Sequence, residues 1–189
     1  MNRFSALFIF LLSLCFVVSL SAQDRFDRVA QIEADTLDVG GFGNIVAGDA
    51  NQPLDIDGDG LYEIYAINTD WHDVVGLDLI PRIYKYEQDG DGGWVTAWST
   101  RLPLDFQNTW GALAVGDLDS DGRDEVVWGI VNNTGGGLQP NPERIAVFET
   151  AGDGSDVMGV DNGDGTFRPN AQWTITDLDN QNIRPFRWY

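Results

Sequence analysis

The sequence predicts an all-β fold built from propeller-type blades, each of four antiparallel strands. Three observations lead there. A unit of roughly 60 residues occurs twice: "DIDGDGLYEIYAI" and "RIYKYE", starting at 55 and 82, correspond to "DLDSDGRDEVVWGI" and "RIAVFE", starting at 117 and 144. Within each unit, short apolar or alternating runs rich in β-branched and aromatic residues are separated by Gly/Asp turns. After the first 22 residues no stretch shows helical periodicity.

The elements follow in order. Residues 1–22 read as a cleaved secretory signal: Arg3 supplies the positive start, "ALFIFLLSLCFVVSL" the apolar stretch, and "SLSA" the small residues before Gln23. The apolar stretch is short for a membrane span and no basic stop-transfer cluster follows, so no transmembrane anchor is expected. The only cysteine, Cys15, lies inside the signal, leaving a mature chain with no disulfide and no thiolate–metal chemistry. Residues 23–41 form an N-terminal segment, and the first unit occupies 42–109. In it "NIVAGD" and "YEIYAIN" are strands flanking an acidic loop. "RIYKYEQ" and "WVTAWST" form a hairpin closed by "DGDGG" (89–93). The second unit, 110–189, repeats this plan with "ALAVGD", "DEVVWGIV", "RIAVFET" and "AQWTIT". The segment "AGDGSDVMGVDNGDGTF" fills its turn region, and "FRWY" starts a third unit. A short insertion, "ANQPLD", distinguishes the first copy. Four short strands per unit make up a propeller blade, and closed rings have about 4–8 blades. Two blades and the start of a third therefore suggest the amino-terminal part of a longer protein; a complete two-sheet β-domain is the alternative.

Composition narrows the function. With 30 acids against 11 Lys plus Arg, the net charge of −19 argues against nucleic acid and against anionic membranes as partners. A 43% hydrophobic content is too high for a disordered acidic tail. The acids instead concentrate in two loops. In "DLDSDGRDE", Asp117, Asp119, Asp121 and Glu125 can turn inward, joined by the Arg123 carbonyl, with Gly122 at the sharp turn. Asp55, Asp57, Asp59, the Leu61 carbonyl and Glu63 reproduce the set, with Gly60 at the turn. Crowded carboxylates repel unless a cation sits among them. A ring of hard oxygens suits Ca²⁺, whereas Mg²⁺ demands a stricter octahedron and transition metals favour Cys or His. An EF-hand would need Glu at position 12 and flanking helices; here that position is Ala66 or Trp128, followed by strand-like sequence. Asp49 stands where an extra ligand could lie, while "DGDGG" and "DNGDG" (161–165) read as hairpin turns.

No catalytic set emerges. His72 is the sole imidazole and sits in a loop segment beside Trp71 and Asp73. There is no G-x-S-x-G elbow, and "NNTGGGLQPNP", whose Asn132 opens an N-x-T sequon, reads as a linker. Trp98, Trp110, Trp128 and Trp173 lie in strand patterns and are expected in the core; Trp71 and Trp188 lie in less regular segments.

These loops resemble the FG-GAP or VCBS repeat of integrin alpha-subunit propellers and many bacterial secreted proteins. "GDLDSDGRDEVVWG" and "DIDGDGLYEIYA" carry the resemblance, which extends over about 42–189. It implies a β-propeller with calcium held between adjacent strands of a blade, and a role in adhesion, ligand binding or carbohydrate recognition. The insertion and the low blade count depart from a closed ring. The expectation is a secreted, non-catalytic calcium-binding protein whose further partners are a surface glycan or protein ligand. The alternative is the N-terminal part of a secreted carbohydrate-active enzyme, a polysaccharide lyase or glycosidase.

Overall fold

The computed structural model describes residues 32, 42–48, 52–68, 81–102, 111–130 and 143–173. Asp49, Trp71, His72, Trp110, Trp188, the signal segment, the 132–142 linker and "FRWY" lie outside them. The described residues are all-β and antiparallel, with no helix and no closed barrel.

The first sheet is a four-stranded meander in chain order: β1 (Phe42–Ala47), β2 (Glu63–Asn68), β3 (Arg82–Gln88) and β4 (Trp94–Arg101). The second repeats it with β5 (Ala112–Gly116), β6 (Glu125–Gly129), β7 (Ile145–Glu149) and, last in order, β10 (Ala171–Trp173). Between β7 and β10 the chain makes a detour carrying a small hairpin, β8 (Val160–Asp161) and β9 (Phe167–Arg168). The sequence reading treated this stretch as turn alone. The hairpin strands are two residues each, too short for their alternation to stand out among Gly and Asp.

Strand alternation assigns the faces. One face of the first sheet presents Tyr65, Ile67, Ile83 and Trp98. These pack with Leu113, Val126, Trp128, Ala146, Phe148 and Met158 of the second unit in one core. Trp98 meets Phe148 edge-on, with ring centroids 5.4 Å apart. The opposite face carries a smaller cluster of Ala66, Tyr84 and Tyr86, with Ile32, Ile64 and Trp94 against it. Strand β3 is consequently buried on both faces. A register shift between Lys85 and Tyr86 in the β3–β4 pair sets Lys85 opposite Trp98.

Of the tryptophans expected inside, Trp98 (4% exposed) and Trp128 (1%) are core residues. Trp173 is not: it is 52% exposed. Trp98 and Trp173 both sit on edge strands, β4 and β10, but Trp98 is covered by Phe148 and Phe167 of the second unit, and among the described residues no aromatic ring packs on Trp173.

The detour also reaches the first sheet. The Thr100 hydroxyl donates to the Phe167 carbonyl (2.8 Å), and the Phe167 N–H donates back to Thr100 Oγ1 (3.1 Å).

Candidate metal centre

Each acidic loop joins the first two strands of its sheet, β1 to β2 and β5 to β6. The two loops have matching internal bonds. Asp55 accepts from the N–H groups of Gly58 (2.9 Å) and Gly60 (3.1 Å); Asp117 accepts from Ser120 (2.6 Å) and Gly122 (3.0 Å). Asp57 accepts from Asp59 N–H (3.2 Å), and Asp119 from Asp121 N–H (3.1 Å). Asp59 accepts from Leu61 N–H (2.7 Å), and Asp121 from Arg123 N–H (2.9 Å). These side-chain-to-backbone bonds bend the chain around its acids. Gly60 and Gly122 both take φ of 91°, open to glycine. Where the first loop uses Gly58 (φ 78°), the second places Ser120 at φ 66°. Gln52, Pro53 and Leu54 of the insertion fold against Gly48, where a Cβ would stand 2.2 Å from the Leu54 nitrogen; Gly116, its counterpart, has open space.

The last acid of each loop is the first residue of the next strand. Glu63 Oε2 accepts from Ile56 N–H (2.7 Å), and Glu125 Oε2 accepts from Leu118 N–H (2.6 Å). Both glutamates are buried, and both face another glutamate across the ladder: Glu63 opposite Glu87, Glu125 opposite Glu149. Like charges placed this way repel.

The loops differ in what offsets that repulsion. In the first, the buried Lys85 ammonium lies 2.8 Å from Glu63 Oε1, 2.5 Å from Asp57 Oδ2, 3.0 Å from Glu87 Oε2 and 2.8 Å from Asp156 Oδ1. Asp156 comes from the detour of the second unit. Burial alone would lower the lysine pKa, but its bonds to Asp156, Asp57 and Glu63 raise it above its ordinary value. Burial raises Glu63 against the opposing pull of Lys85. Burial also pushes Glu87 up to about 7, with Lys85 opposing and Asp156 adding to the rise.

In the second loop Val147 occupies the position of Lys85, opposite Val127 as Lys85 is opposite Tyr65. The positive charge is instead Arg123, at the rim. Its guanidinium contacts Asp121 and Glu149 and donates to the Thr150 carbonyl (3.0 Å). Paired with Arg123, Asp121 stays below the usual carboxylate range. Glu125 is raised, by burial first and then by the charges of Asp119, Glu149 and Asp117. Its Oε1 is buried and has no hydrogen-bond partner among the described residues. Single ligand oxygens of Asp117, Asp119, Asp121 and Glu125 all lie within 4.8 Å of one another, as do those of Asp55, Asp57 and Asp59. Glu63 groups instead with Asp57 and Glu87, around Lys85. The donor set at the second loop is all hard oxygen, with a buried acceptor left over, and fits a divalent cation such as Ca²⁺.

Lys85, Glu87 and Asp156 were not among the residues singled out from sequence. A lysine inside "RIYKYE", at a position matched by valine in "RIAVFE", was the available signal.

No curated protein and no solved structure matches the chain. The family description FG-GAP-like repeat matches residues 55–128. That span begins at the first acid of one loop, contains the second loop whole, and ends within β6. Over that span, 74 of the 189 residues, the chain is similar to FG-GAP-like repeats.

Proposed function

We propose that this is a secreted, calcium-binding repeat protein whose propeller-type sheets serve surface interaction, adhesion or ligand binding. Asp117, Asp119, Asp121, Glu125 and the Arg123 carbonyl are the ligands we assign to the ion. The observation that carries this reading is the partnerless, buried Glu125 Oε1 beside three further carboxylates. A calcium ion there would neutralise the cluster and tie β5 to β6; the chain itself supplies a loop already bent by its own Asp side chains. The signal-like pattern of 1–22 supports the extracellular setting, where calcium is abundant.

The test is thermal unfolding of the mature protein with millimolar Ca²⁺ and with EDTA. Calcium is expected to raise the melting temperature, and equal melting in both refutes the reading. Mass spectrometry of the exported protein is expected to find Gln23 at the amino terminus.

A further inference from the structure

We propose that the Lys85 ammonium is the resident cation of the first acidic loop, so that this two-loop segment takes up one divalent ion rather than two, at the second loop. The inference rests on the calcium reading of that second loop.

The two loops share the same bonds from backbone N–H groups to their acids and part at one glutamate oxygen. Glu63 Oε2 and Glu125 Oε2 both bind the backbone of their own loop. Glu63 Oε1 is then met by Lys85 Nζ in an ion pair, whereas among the described residues Glu125 Oε1 has neither an ion-pair nor a hydrogen-bond partner. The ammonium also takes Asp57 Oδ2, the counterpart of an Asp119 oxygen. It thereby holds two of the side chains that an ion in the first loop would need, Asp57 and Glu63. Its side chain is fully buried and has four carboxylate neighbours, a coordination shell in which three protons meet four acceptors. A divalent ion sharing Asp57 and Glu63 would sit close to the ammonium and be repelled by it. The second loop has no such occupant: Val147 stands in for Lys85, and its cation, Arg123, is 40% exposed at the rim.

Calcium titration calorimetry, with metal counting after gel filtration, tests this on three mature proteins. The unmodified chain is expected to hold one ion. D119A/E125Q, which leaves Lys85 and the first loop intact, is expected to hold none. K85M is expected to hold two, or, should it unfold in EDTA, to regain its β-sheet circular dichroism on adding calcium. Two ions in the unmodified chain, or one retained by D119A/E125Q, overturns the Lys85 proposal while the calcium reading stands. K85M that takes no second ion and gains no structure from calcium also overturns it. No uptake by any of the three overturns the calcium reading itself.

Discussion

The first acidic loop keeps its positive charge inside, on Lys85, and carries leucine at its seventh position; the second keeps its charge outside, on Arg123, and carries valine inside. Backbone bonding is the same in both, so the turn does not depend on which arrangement is used. The difference is electrostatic. Buried carboxylates must be offset by a cation, and burial decides how much that cation is worth. Lys85, Asp57 and Glu63 are removed from water, with only Asp156 open at the outer side of the cluster, whereas the part-exposed pair Arg123–Asp121 is screened and contributes little.

The largest effect is expected from removing the internal cation. K85M leaves Asp57, Glu63 and Glu87 buried without compensation and is expected to cost about 3–5 kcal/mol in EDTA, measured by urea unfolding. A loss under about 1 kcal/mol would break the comparison. Next, V147K transplants the inner cation beside Glu125. For a site of Kd near 10⁻⁴ M, millimolar calcium stabilises the unmodified protein by about 1.4 kcal/mol. V147K is expected to lose that response, and a preserved calcium shift in melting would separate Val147 from ion uptake.

A smaller effect concerns pH. Glu87 has a folded pKa of about 7, above its ordinary 4.5. A raised folded pKa means that its stabilising contribution is present below pH 4.5 and is lost as pH rises through about 7. In EDTA the melting temperature should therefore fall from pH 5 to 8, and E87Q should flatten that slope. An unchanged slope would assign the decline to other groups. The smallest effect is at Ser120, in the left-handed region where the first loop has glycine. S120G should gain about 0.5 kcal/mol, the relieved strain being partly offset by glycine's freedom in the unfolded chain. A lower urea midpoint would contradict the strain assignment.

Much of this was legible in the residues. The spacing of the acids, with Gly60 and Gly122 at the turns, is local information, and the loops fold by local bonds from Asp side chains to nearby N–H groups. Strands β2, β3 and β4 announced themselves by alternation, the last two around one glycine-rich turn. What stayed hidden depends on partners distant in sequence. Lys85 reads as an ordinary strand residue until register sets it opposite Tyr65 and packing brings Asp156 to it. Trp173 has the same strand signature as Trp98 and the same edge position, and only the cover that Phe148 and Phe167 give Trp98 separates them.

The reach of Asp156 to Lys85, together with the Thr100–Phe167 bonds, has an evolutionary consequence. A gene of this kind cannot be lengthened or recombined by copying one module at will. A duplicate of the first unit placed after itself would present a buried lysine to a neighbour with a tight turn where the detour stands, and so without the matching acid. Successful rearrangements would move the lysine-bearing module together with its successor, so the heritable piece is the pair.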